Sequence, residues 1–207
     1  IIGGGLTGVD TATEVQAYYI EMVKRVYRRF KAMNVSLVDF LQRFESSSQY
    51  WISRWVEHGK ALYGCPQTPK AIQSLIHRWG GVTIVYRKRM QDSPAYRLNA
   101  EELEEALKEG ILYLENHSPK LVSLGKDQHI SSIKLENIVS QKCTDYTAYS
   151  VLVATGAKPN VAYSFEYYGT FEKENGYYKP FILENGELKP MASKEHCKEP
   201  KIGVMTN

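Results

Sequence analysis

The sequence predicts an α/β fold in which short parallel strands alternate with helices. Three observations carry this. A β-branched pair, Ile1-Ile2, runs straight into the glycine pattern Gly3-Gly4-Gly5-Leu6-Thr7-Gly8 and then into a helical stripe. A continuous apolar run, Val82-Thr83-Ile84-Val85-Tyr86, has the β-branched character of a strand buried on both faces. A second such run, Ser150-Val151-Leu152-Val153-Ala154-Thr155-Gly156, stops at a glycine.

Composition limits the function classes. With 207 residues, 43% apolar and 24% charged, the chain has room for one large or two small domains and enough apolar surface for a core. A formal net charge of +3, with no long block of one sign, argues against a nucleic-acid partner. No apolar run approaches membrane-spanning length, and no secretory leader pattern is present. Cys65, Cys143 and Cys197 are widely spaced and include no C-x-x-C pair, so neither a zinc site nor a redox disulfide is expected and a cytoplasmic setting is. A strand usually has about five or six residues. A chain that starts two residues before a glycine turn therefore reads as a piece of a longer protein.

The opening motif has the order of a strand–turn–helix that binds a dinucleotide. Gly3 permits the tight turn, Gly5 lets backbone approach a pyrophosphate, and Gly8 lets the helix pack on the strand. The phosphates then meet the N–H groups and dipole of the helix N-terminus. The motif alone leaves open a glycine-rich turn that binds nothing.

From Thr11 to about Asn34, Val15, Tyr18, Tyr19, Met22, Val23, Val26 and Phe30 form one stripe of a long amphipathic helix. Lys24, Arg25, Arg28, Arg29 and Lys31 lie largely off that stripe and read as a solvated face. Ser36 caps a second helix through Val38, Leu41 and Phe44, and a third covers Tyr50 to Tyr63. Thr68-Pro69 opens a fourth that Gly80-Gly81 stops. His58, His77 and the three tryptophans of this region read as packing, since no second ligand stands at metal spacing.

Arg87-Lys88-Arg89 follows the second strand. In a dinucleotide fold this position reads the adenosine ribose, with an acid for a free 2′-hydroxyl and Arg for a 2′-phosphate. The sequence offers no acid there, so phosphate recognition is the favoured reading over a solvated basic turn. Asn99 caps an acid-loaded helix that Gly110 ends, and Ile111–Leu114 is a third strand. Ser118 to Ile138 reads as a hairpin or meander broken at Gly125-Lys126-Asp127, with a further edge at Cys143–Ala148. Beyond Lys158 no helix is expected; Glu174-Asn175-Gly176 and Glu184-Asn185-Gly186 are hairpin turns, and Ile202–Met205 is a last strand.

Three motifs now stand in one order: Ile2 to Asp10, then Val82 to Lys88 with Pro94-Ala95 and Arg97, then Val151 to Pro159. Together they resemble the NAD(P)H-binding domain of two-dinucleotide flavoproteins of the pyridine nucleotide-disulfide oxidoreductase superfamily, nearest the glutamate synthase small subunit. The likeness covers roughly residues 1–14 and 81–160. It implies a Rossmann-like parallel sheet with a β-meander crossover, and a domain over 1–160 interrupted by a helical insertion, 18–80, between the first helix and the second strand. Residues 161–207 then form a β-rich extension or the start of a return to an FAD domain.

The resemblance further implies NADP(H) or NAD(H) as ligand, with hydride passed to an FAD held in the full-length protein. Gly3, Gly4, Gly5, Leu6, Thr7 and Gly8 match the pyrophosphate loop. Arg87, Lys88 and Arg97 match the 2′-phosphate grip, and Ala154, Thr155 and Gly156 the strand end beneath the cofactor. Lys88 stands where a second Arg is usual, which keeps the charge and loses the bidentate fork. No catalytic acid or base and no metal ligand is assigned. The expected partners are the FAD domain of the same protein and, through 18–80, a protein partner or a second copy. With one glycine motif the piece alone should not turn over. A Rossmann-type methyltransferase and a non-catalytic nucleotide-binding or scaffold domain are the alternatives.

Overall fold

Residues 1–125, 128–156, 161–174 and 176–190 are described by a computed structural model. They divide into two units, Ile1–Gly156 and Ala157–Asn207.

The first unit is mixed α/β, and its parallel sheet is built on Ile1–Gly3. Strand β1 (Thr83–Val85) pairs in parallel with β2 (Leu112–Leu114), and Ile2 bridges in parallel to Val85 on one side and Val153 on the other. Hydrogen bonds from Val85 N to Ile1 O and from Ile2 N to Leu152 O, each 2.8 Å, complete the ladder. The parallel segments therefore lie in the order 112–114, 83–85, 1–3, 152–154. These strands are shorter than the apolar runs that predict them. Val153 corrects the reading of a strand buried on both faces: it is 72% exposed, because its segment forms the outer edge among the described residues.

Alternation along the strands sends successive side chains to opposite faces. Ile84 meets Val9 and Ala12 of α1 (Leu6–Met33), with Leu103 and Ala106 of α6 (Ala100–Lys108) and Ile111. Ile2 and Val85 face the other way, onto Ile133 and Leu135. Those two belong to β4 (Ile130–Asn137), the centre of an antiparallel meander with β3 (His117–Leu124) and β5 (Cys143–Thr147). Helices thus cover one face and the meander the other. Each fully buried aliphatic side chain in these layers contributes about 1.5–3 kcal/mol. The turn expected at Lys126-Asp127 lies outside the described residues.

Helix α1 starts earlier than its stripe suggests, at the glycine loop, and ends at Asn34 in the left-handed conformation (φ 49°). Ser36 accepts from Asp39 N to cap α2 (Leu37–Leu41), which stops short of Phe44. Helix α3 (Ser46–Gly64) is longer than expected, and α4 (Pro69–Arg78) carries the Thr68 cap and the proline in its first turn. Phe40, Ile52 and Val56 form the core of this lobe against Val26, Tyr27 and Phe30. Gly59 lets α3 approach α1: a Cβ there would stand 2.3 Å from Tyr27 Cβ and 3.1 Å from Val23 O. The lobe meets the sheet where the parallel strands begin. His77 Nε2 and Gly110 O lie 2.7 Å apart, and Gln16 Nε2 donates to Glu109 O at 3.0 Å, both just ahead of β2. No helix among the described residues is long and apolar enough to cross a membrane.

In the second unit the absence of helix expected beyond Lys158 is corrected by α7 (Tyr163–Glu166), a single turn. Hairpins β6 (Lys173–Glu174) with β7 (Tyr177–Tyr178), and β8 (Phe181–Glu184) with β9 (Glu187–Pro190), fall where the turn residues predict them. Asn185 and Gly186 both have positive φ, 53° and 84°, which suits a two-residue hairpin loop. Asn175 and Ile202–Met205 lie outside the described residues.

Candidate functional site

The glycine loop stands at the carboxyl ends of the parallel segments. Gly3 has φ +135°, and a Cβ there would lie 2.2 Å from the Ala154 carbonyl oxygen. A Cβ on Gly4 would enter the Tyr86 ring, 2.5 Å from Cδ2, and one on Gly8 would stand 2.7 Å from Gly3 O. The packing of the protein itself therefore demands glycine at 3, 4 and 8. Gly5 differs: nothing lies within 4 Å of its added Cβ, and at φ −90°, ψ 170° its backbone suits any residue. Its missing side chain leaves open space in front of the helix.

That space faces the start of α1. Gly5 is the N-cap, no side chain caps the end, and no acid occupies the first turn. Gly8 N and Val9 N donate to Gly5 O, which leaves the N–H groups of Leu6 and Thr7 without a backbone acceptor among the described residues. Free N–H groups and the positive end of the helix dipole attract an anion.

The basic residues gather beside it. Arg87 and Lys88 are exposed immediately past β1, whose next residue, Tyr86, covers Gly4. Arg97 is exposed on the last turn of α5 (Pro94–Leu98). That helix is tied to the glycine loop, since Ala95 N donates to Gly4 O at 3.0 Å and Ala95 is fully buried. None of these three cations makes an ion pair with a described residue, whereas Arg89 Nε bonds Asp92 Oδ2 at 3.2 Å. Asp92 is held below its ordinary range, chiefly by that bond and further by the charges of Arg97 and Lys88.

On the other flank, Ala154 N donates to Ile2 O at 2.8 Å, which brings the Ala154 carbonyl under Gly3. Thr155 and Gly156 follow, both exposed, with Gly156 at φ +112°. The structure thus gathers the loop, Arg87, Lys88, Arg97 and Ala154–Gly156 around the carboxyl ends of three adjacent parallel segments.

Two features around the site have no clear signal in the sequence. Tyr86 roofs Gly4, a contact signalled only by an aromatic residue ending a strand. Asp92 and Glu115 bring acids to the end of β1, where the sequence reading expects none: Asp92 arrives through a 3-10 turn (Met90–Asp92), and Glu115 Oε1 accepts from Met90 N at 2.6 Å. His58, read from the sequence as packing, is buried in the helical lobe, where its Nδ1 lies 2.7 Å from Tyr19 Oη and the ring stacks on Trp79 at 4.1 Å and 6°. Burial, helped by the charge of Arg54, lowers the His58 pKa to about 4. Its partners are aromatic rings, as expected for packing. Among the described residues no group of three His, Cys, Asp or Glu is placed to hold a metal.

Two surface depressions lie elsewhere. One, about 390 Å³, lies in the helical lobe against Phe44, Trp51 and Trp55; the other, about 500 Å³, borders Met90, Tyr113 and Glu115. Neither is lined by a loop glycine.

No known protein-family model matches the sequence. The chain is 31% identical over 160 residues to the uncharacterized protein RP006 of Rickettsia prowazekii (strain Madrid E). The match covers 77% of this chain and 21% of that protein, so the chain spans about a fifth of the curated relative it matches. Among solved structures it is similar to thioredoxin reductase from Streptococcus pyogenes MGAS5005, at 17% identity and a TM-score of 0.37, over 53% of this chain and 34% of that one. It is also similar to the Lactococcus lactis thioredoxin reductase, at 18% identity and a TM-score of 0.36, over 51% and 34%.

Proposed function

We propose that the chain is the NADPH-binding domain of a flavin-dependent oxidoreductase of the glutamate synthase small-subunit kind, presenting the nicotinamide to FAD held elsewhere in the protein. The observation that carries the reading is Gly5, a loop glycine whose missing side chain no packing accounts for, in front of free N–H groups. The order of the parallel segments supports it. Numbered along the chain they lie 3-2-1-4, and Gly3 meets Ala154 where that order reverses, the crevice in which open α/β sheets bind ligands.

In this reading the N–H groups of Leu6 and Thr7 hold the pyrophosphate across Gly5, and Gly4 and Gly8 keep the loop pressed to Tyr86 and to α1. Arg87, Lys88 and Arg97 take the 2′-phosphate. Ala154, Thr155 and Gly156 form the floor toward the nicotinamide. The nucleotide supplies hydride and the flavin accepts it; this chain's residues bind and orient, and none is assigned as acid or base. The expected partners are an FAD domain of the same protein and, on the helical lobe, a further protein surface. Tyr18, Val38, Tyr50 and Tyr63, each at least half exposed, favour such a contact. The spaced thiols fit a cytoplasmic setting.

Calorimetric titration with NADPH, NADH and S-adenosylmethionine tests the reading. NADPH should bind most tightly, and Arg87→Ala should weaken it about 10- to 150-fold, the loss of one charge-assisted contact, with a smaller effect on NADH. Preference for S-adenosylmethionine points to a methyltransferase, and binding of none of them to a scaffold; either result overturns the proposal.

A further inference from the structure

The end of the second parallel segment is where an acid selects a free ribose 2′-hydroxyl and a cation selects a 2′-phosphate. The fold brings both kinds of group to this place. Its backbone is pinned from below: His117 N donates to Tyr86 O at 3.0 Å and Asn116 N to Lys88 O at 3.1 Å. Glu115 is occupied, because its Oε1 accepts from Met90 N at 2.6 Å and so fixes the start of the turn that carries Asp92. Tyr86 Oη donates to Asp92 O at 3.4 Å, which ties the end of the turn to the residue covering Gly4.

Asp92 is thus a rigidly placed carboxylate among cations. Its side chain is 33% exposed, bonded to Arg89 and reached by the charges of Lys88 and Arg97. A carboxylate accepts hydrogen bonds only. It can take one from a ribose hydroxyl, but it repels a phosphate and competes with it for Arg89. We propose that Asp92 is a specificity-determining residue that keeps NADH acceptable and narrows the preference for NADPH that Arg87, Lys88 and Arg97 would otherwise make wide. The proposal rests on the nicotinamide-nucleotide reading given above.

The test is the ratio of NADPH to NADH affinity, measured by calorimetry on the chain and two variants. Asp92→Asn removes the repulsion and should raise the ratio about five- to tenfold, mainly by tightening NADPH. Arg89→Ala frees the carboxylate and removes a cation, and should lower the ratio severalfold. Matching thermal midpoints establish that the variants are folded; Asp92→Asn decides the role of Asp92, with Asp92→Ser in its place if it does not fold. If the unaltered chain binds both nucleotides and a folded variant at Asp92 leaves the ratio unchanged, the assignment of Asp92 is wrong while the domain reading stands. If the chain binds neither nucleotide, the domain reading fails and this proposal fails with it.

Discussion

Alanine at Gly5 and at Gly8 should separate folding from binding within a single loop. At Gly5 the backbone angles suit alanine and no atom lies within 4 Å of the new methyl. Restricting the unfolded chain stabilises by about 0.4–1 kcal/mol, and alanine is poorer than glycine as an N-cap by about 0.5–1 kcal/mol. The net change in stability should therefore stay within about 0.5 kcal/mol. At Gly8 helix propensity favours alanine by about 1 kcal/mol. However, the methyl would stand 2.7 Å from Gly3 O, a backbone atom whose own residue is held by a 3.0 Å bond from Gly3 N to Val85 O. Displacing the helix costs about 1–3 kcal/mol, so Gly8→Ala should be destabilising.

Binding should divide the other way. A methyl at Gly5 occupies the approach of a phosphate oxygen that must come within about 2.9 Å of backbone nitrogen. Losing two hydrogen bonds to a charged ligand, at about 1.5–3 kcal/mol each, predicts weakening of NADPH by a hundredfold or more. Urea denaturation gives the first quantity and calorimetry the second. A Gly5→Ala protein that binds NADPH within threefold of the original would refute the assignment of the open space to a ligand. One destabilised as much as Gly8→Ala would refute the geometry.

Two further outcomes concern the helical lobe. His58 has its pKa lowered to about 4 from an unfolded value of 6.5, so between these values the unfolded chain binds the extra proton. Its contribution is complete above pH 6.5 and is lost as pH falls toward 4, by at most about 3 kcal/mol; denaturant midpoints across that window should fall, and His58→Phe should flatten the dependence. Gly59→Ala should cost about 1–3 kcal/mol, because its methyl would press on Tyr27 Cβ and the Val23 carbonyl, and an unchanged thermal midpoint would contradict the close approach of α3 and α1.

Much of the local structure was legible because it depends on neighbours in sequence. The caps at Ser36, Thr68 and Asn99 each bond a backbone N–H three residues on, and short-range chemistry of that kind can be read from a line of letters. The hairpin at Asn185-Gly186 is legible for the same reason, and so is the apolar stripe of α1 apart from Tyr18, which is 66% exposed. The strands were less so. Val151 to Val153 has the composition of an interior strand, yet Val153 is open to solvent, since burial depends on what pairs beyond it and composition does not record that.

At the site, the sequence by itself determined the glycine pattern, the basic run after the second strand and the Ala-Thr-Gly ending of the last. Only the tertiary structure decided that three of those glycines are required by Ala154, Tyr86 and Gly3 while Gly5 is left for something else. It alone also placed Asp92 and Glu115 at the end of β1. The physical reason is the same in each case: a contact between residues distant in the chain is set by how layers pack and loops close, and no periodicity or spacing encodes which backbone atom will stand 2 or 3 Å away.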